Sequence, residues 1–238
     1  MINIYISGTS SLTTLGELSE NNSSYIESPN LQSVSTFERD VSYYGVKGHA
    51  LNKSKSDMLD LLKKQIELAL SQANIEKAEY KNTAILLGST SLDIGAIAPQ
   101  NKPIWLSNTD FFSREIKECF GFHRLDYTFN TACTASANAL LYGTRLIRQG
   151  LVKHAVIVGC EFFNHLTVNG FSSLDLICKE SAKTFSTERD GLILGEGIGV
   201  VVLSTQATET TLFKVLDGYS SCDDHSLTIT EENGQHIV

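Results

Sequence analysis

Apolar and polar positions alternate over residues 2–7 (INIYIS), the two-residue period of a half-buried strand. Residues 17–56 turn polar, rich in Ser, Asn and Glu with aromatics between them, which predicts a long excursion carrying a short hairpin. From Ser56, the expected N-cap, the period becomes helical: Leu59, Leu62, Ile66, Leu70 and Ala73 share one face. TAILLGSTS (83–91) is an apolar run broken by Gly88 and predicts a buried strand and a turn. Residues 108–120 read as a helix, 125–132 as an alternating strand, and 134–149 as a helix opening on Ala, Ser and Asn. Gly150 then takes the C′ position. HAVIVGCE (154–161) is a further buried strand, 165–182 is helical or irregular, and 212–221 is a last strand. GLILGEGIGVVVLS (191–204) gives two apolar runs pivoting on Gly195 and Gly197. Strands alternating with helices, without repeats or Pro-rich linkers, predict one α/β layered unit.

Composition narrows the class. Of 238 residues, 42% are hydrophobic and 19% charged, the profile of an ordinary globular protein. A net charge of −8 argues against nucleic acid or an anionic membrane as the main partner. No stretch nears the ~20 apolar residues that span a bilayer, and the first residues carry no leader pattern, so the expected location is the cytoplasm. The five cysteines (Cys119, Cys133, Cys160, Cys178, Cys222) are odd in number and form no C-x-x-C. Neither a disulfide framework nor a zinc site is expected. The six histidines are scattered, and no metal or cofactor is expected.

One segment carries candidate chemistry: NTACTASANAL (130–140) sets Cys133 after a β-favouring run and before small helix formers. A thiol at a helix start meets unpaired N–H groups and the positive end of the dipole, which favour the thiolate. The strand-turn-helix also aims the side chain outward. The alternative is plain packing, because free cysteine is among the most buried residue types. Ala132, Ala135, Ser136, Ala137 and Ala139 read either as a face against which something packs closely or as simple helix propensity.

This segment resembles the nucleophile motif of the β-ketoacyl synthases. TERDGLILGEGIGVVVL (187–203) is similar to that family's R-D-G and G-E-G block, with Arg189, Asp190, Gly191, Gly195, Glu196 and Gly197 matching. AILLGSTS and HAVIVGCE fit the flanking strands, and residues 218–234 resemble the end of the family's N-terminal half. The resemblance implies a thiolase-like fold, of which residues 1–238 form one half: an N-terminal-type α/β domain with a mixed five-stranded sheet and the nucleophile helix. In the family, a cysteine takes the acyl group and two histidines drive decarboxylative condensation with units on acyl carrier protein. Those histidines lie in H-G-T and G-F-G-G segments of the C-terminal half.

Neither segment occurs here, and the C-terminal half is expected to be absent. Cys133 then holds the nucleophile position, either as a vestige or as an acyl acceptor, and condensation by this chain alone is not expected. Loss of one oxyanion donor alone costs about 10²–10³ in rate. Smaller departures agree: Ser186 replaces the family's acid before R-D-G, and Leu192 replaces its pocket-gating Phe. The R-D-G and G-E-G residues are expected to form a glycine hairpin with a satisfied ion pair.

The resemblance implies a partner for the uncovered face. In the family, the strand before the nucleophile pairs with its two-fold mate, here near 126–131. The expectation is a shortened chain-length-factor-type subunit that heterodimerises with a full-length ketosynthase. It would shape that partner's acyl tunnel in polyketide, aryl polyene or fatty-acid-like biosynthesis, with acyl carrier protein delivering the chain. Asn108, Thr109, Phe111, Phe112, Tyr127 and Phe129 are the expected tunnel and interface residues, with core packing as the alternative for the aromatics. Two rivals stand beside it: an acyltransferase half in which partner residues complete Cys133, and a standalone acyl-binding scaffold.

Overall fold

The computed structural model describes residues 2–18, 28–91, 110–209, 211, 213–221 and 233. Two apolar runs form its centre. β5 (Thr83–Gly88) is buried at every residue, and β7 (His154–Glu161) along most of its length. They pair in parallel from Thr83↔His154 to Gly88↔Gly159, as suits continuous apolar strands covered on both faces. β9 (Gly197–Ser204) runs antiparallel to β7, and β1 (Ile4–Thr13) antiparallel to β9. β6 (Asp126–Phe129) lies parallel to β5 at the edge. The sheet has seven strands where five were expected: β10 (Phe213–Val215), within the stretch read as a last strand, and β2 (Gly16–Leu18) also pair along β1.

A second sheet comes from the polar excursion. β3 (Leu31–Ser35) and β4 (Asp40–Tyr44) form the expected hairpin, and β8 (Leu194–Gly195) joins β4 in parallel. The runs around Gly195 and Gly197 therefore do not close a hairpin on each other. β8 serves the small sheet, β9 serves the large one, and Glu196 sits between them.

Helices cover the large sheet unequally. α1 (Lys55–Gln72) buries Met58, Leu61, Leu62, Ile66, Ala69 and Leu70, with Leu59 at the margin. Its N-cap is Ser54, not Ser56. Ser54 Oγ accepts from the Asp57 N–H at 3.2 Å and Asp57 Oδ2 accepts from the Ser54 N–H at 2.9 Å. This reciprocal box requires an acid three residues after the cap, and only Ser54 has one there. α2 (Phe111–Phe120) adds Phe112 and Ile116 to the same core and ends at Gly121.

α3 (Ala135–Arg148) lies on the other face, where Ala139, Leu146 and Ile147 meet Ala84, Leu86, Ala155 and Ile157. Gly88 serves this approach: a Cβ there would stand 2.5 Å from the Ser136 nitrogen. The strand therefore runs through Gly88, which is needed for contact and not only for a turn. Beyond α3, over β9, the face is open: Gly199 is exposed and Val201 half-buried. Gly150 follows α3 with a φ of +70°, as a C′ glycine should. α4 (His165–Ser173) takes half of the stretch read as helical or irregular and covers the small sheet.

A cysteine turn over a glycine floor

The chain leaves β6, makes a short 3₁₀ turn at Ala132–Thr134 and enters α3. Ala132 has a φ of +49°, a conformation costly for a residue with a side chain. The turn is tied locally. The Thr134 hydroxyl donates to the Thr131 carbonyl at 2.7 Å, and the Asn138 amide donates to Thr131 Oγ1 at 2.8 Å. Cys133 stands exposed at its centre, and no side chain caps the first amides of α3.

Cys133 opens onto a cleft of about 630 Å³ whose floor is the ends of β5, β7 and β9. Gly88, Gly159 and Gly199 form much of that floor. The small residues of α3 divide in two: Ala135 and Ala139 are buried against the sheet, while Ser136 and Ala137 are exposed on the cleft side. Close packing explains the first pair. The second pair keeps the cleft wide.

Two acidic residues stand at the cleft, one of them with its carboxylate sealed behind it. Glu161, at the end of β7, accepts from the Thr90 N–H at 2.9 Å, the Ser91 N–H at 3.1 Å and the Ser91 hydroxyl. Burial pushes its carboxyl above the usual carboxylate range, against the pull of these donors. Glu196 is tied further in. It pairs with Lys53 Nζ at 2.6 Å and accepts from the backbone N–H groups of Val46 at 2.9 Å and Phe163 at 3.0 Å. Both partners are nearly sealed, with side chains 4% and 0% exposed. Burial, together with Glu196 and Glu161, drives the Tyr43 hydroxyl far above its ordinary value.

The expected hairpin with its ion pair thus takes another form, because the carboxylate that is paired belongs to Glu196 and its cation comes from Lys53. Arg189 donates to the Ser186 carbonyl at 3.0 Å and Asp190 accepts from the Lys179 N–H at 3.4 Å, both on an exposed loop. Gly191 and Gly195 are required by contact: a Cβ would stand 2.5 Å from the Cys178 nitrogen and 2.8 Å from Tyr44 Cβ, respectively. At Gly197 a Cβ would meet nothing closer than 3.9 Å.

The tunnel candidates separate as well. Asn108 and Thr109 lie outside the described residues. Phe112 is buried on the α1 face, and Phe111 packs beside it with Lys55 Nζ 4.5 Å from its ring centre. Both pack into this chain's own core, the alternative reading for these aromatics. Tyr127 and Phe129 pack on Tyr142 of α3, ring centres 4.9 and 5.7 Å away, at the open edge of the sheet. Among the described residues no histidine lines the cleft, and no three potential metal ligands cluster. No described helix is long and apolar enough to cross a membrane.

Lys53, Glu161 and Asn130 escape a reading of the sequence. Glu161 leaves one signal, an acid ending a fully apolar strand. Lys53 leaves none, because its partner is 143 residues away.

Residues 43–209 match the family model described as "Beta-ketoacyl synthase, N-terminal domain". The chain is similar to probable polyketide synthase 26 of Dictyostelium discoideum, 30% identical over 177 residues, covering 70% of this chain and 7% of that protein. Probable polyketide synthase 44 of the same organism is 28% identical over 173 residues, covering 67% and 6%. The chain thus spans less than a tenth of these relatives' length. Among solved structures it resembles a ketosynthase (ApeO) in complex with its chain length factor (ApeC) from Xenorhabdus doucetiae. That match has 20% identity and a TM-score of 0.65, covering 87% of this chain and 59% of the other. The ishigamide ketosynthase/chain length factor matches at 16% identity and a TM-score of 0.63, covering 85% and 58%. The fold is that of the N-terminal half of thiolase-like ketosynthases.

Proposed function

The chain belongs to the β-ketoacyl synthase N-terminal domain family, and from that premise we propose that it is a ketosynthase-like subunit that works beside a full-length ketosynthase. One observation carries the reading: the Cys133 cleft is half-built. Cys133 is exposed, the sheet beside α3 lies open over β9, and no described histidine reaches the cleft. Thioester condensation needs charge stabilisation and proton transfer around the sulfur. A second polypeptide surface supplies these groups. β6 offers the place, since among the described residues it is paired on one side only, with β5, and an open strand edge is a template for pairing. In this role the subunit shapes the acyl tunnel of its partner in polyketide or related biosynthesis, and acyl carrier protein delivers the chain to the ketosynthase.

The test is tagged purification from the native cell with stoichiometry by mass spectrometry. A ketosynthase bearing both histidine motifs should co-purify in equal amount. A soluble, functional monomer overturns the proposal. A second reading, in which Cys133 itself accepts acyl groups, is favoured by its exposure on a strained turn. Product formation unchanged by Cys133→Ala in the reconstituted complex would exclude that second reading.

A further inference from the structure

We propose that Glu161 is the positioning residue of the Cys133 turn. The inference rests on Cys133 being the reactive thiol of the cleft, the second reading above. Ala132 holds a backbone conformation that persists only where its surroundings over-determine it. The bonds within the turn join residues 131, 134 and 138 to one another and do not fix the turn to the sheet. The anchor is the loop 89–91. Its Ser89 N–H donates to the Phe129 carbonyl at 3.1 Å, and its Thr90 carbonyl accepts from the Asn130 amide at 2.9 Å. Both contacts seize the chain just before the turn begins.

That loop is itself gripped by the Glu161 side chain. The Glu161 carboxylate gathers two consecutive backbone N–H groups and a hydroxyl from Thr90 and Ser91. An ionised carboxylate only accepts, so it can satisfy these donors at once, and the Thr90 and Ser89 side chains also reach it. A glutamine would face one of those N–H groups with its own NH₂ and lose that arm. The relay runs from β7 through Glu161, the loop and Asn130 to the strained residue before Cys133. Glu161 need not touch a substrate to do this.

The test is the alkylation rate of Cys133 by iodoacetamide, followed by peptide mass spectrometry. Cys119, exposed on α2, is the control within the same molecule. Glu161→Ala and Asn130→Ala should each slow Cys133 about tenfold, as the turn loses its hold on the sheet. Glu161→Gln should fall between. Cys119 should react at its original rate, and the double variant should be no slower than either single one. The proposal is overturned if Cys133 keeps its rate in both single variants, or if both thiols change together. Should Glu161→Ala fail to fold, Asn130→Ala decides, since that side chain is exposed. The acyl-acceptor reading is judged separately, by whether Cys133 outpaces Cys119 in the unaltered protein.

Discussion

The two faces of the large sheet are built to different rules. On the α1 face, Leu62, Ile66, Leu70, Phe112 and Ile116 seal the strands with bulky side chains. On the α3 face, small residues of the helix's first turns meet glycines at the strand ends, Leu146 and Ile147 pack on Leu86 and Ile157 only further along, and the surface over β9 stays open. Bulk on one side supplies stability through buried area. Small residues on the other let a helix come close and leave a cleft at its start. The same strands serve both faces, so the sealed face steadies a floor that the open face leaves bare.

The sharpest break of this contrast lies between the sheets. Glu196→Ala leaves Lys53 charged and buried, and should cost about 3–5 kcal/mol by urea denaturation. Next comes the sealed face, where Leu62→Ala should cost about 2–5 kcal/mol in the same assay. Gly88→Ala attacks the close approach on the other side. Its methyl would stand 2.5 Å from the Ser136 backbone, and the overpacking should cost about 1–3 kcal/mol and displace the Cys133 turn. On the open face, Ala137→Ser should change stability by under about 0.5 kcal/mol. Equal costs for Leu62→Ala and Ala137→Ser would erase the distinction between the faces.

A gentler probe is acid. Burial holds the His154 imidazole below its ordinary value of 6.5, with Glu79 opposing and Lys153 assisting. A group whose folded value is depressed contributes stability above its unfolded value and loses it as pH falls through the folded one. Stability should therefore decline as pH drops below about 6.5, and His154→Gln should flatten that limb of the denaturation profile.

How much of this was legible in the sequence follows from the range of each signal. The period of α1, the apolar runs of β5 and β7 and the position of Gly150 are local, and the structure follows them. The cap at Ser54 was missed by two residues because Ser56 also precedes the helical period, while the deciding acid is Asp57. The two runs around Glu196 read as one hairpin because adjacency in the chain suggests pairing. Only the small sheet's need for a third strand separates them. At the site, Cys133 was visible through its turn and its small neighbours. The grip of Glu161 on residues 90–91 spans about 70 residues and has no local signature. Phe111 and Phe112 were ambiguous because an aromatic on a helix reads alike in a core and along a channel.

The junction at Glu196 has a further consequence, for motion. Its carboxylate holds the link between β4 and α1 through Val46 and Lys53, and the exit of β7 through Phe163. If the small sheet peeled away alone, an ionised pair would be stranded without its backbone donors. Partial opening is thereby made nearly as unfavourable as complete unfolding. The amides of β4 and β9 should exchange with deuterium in one cooperative event, so that the two sheets keep time together.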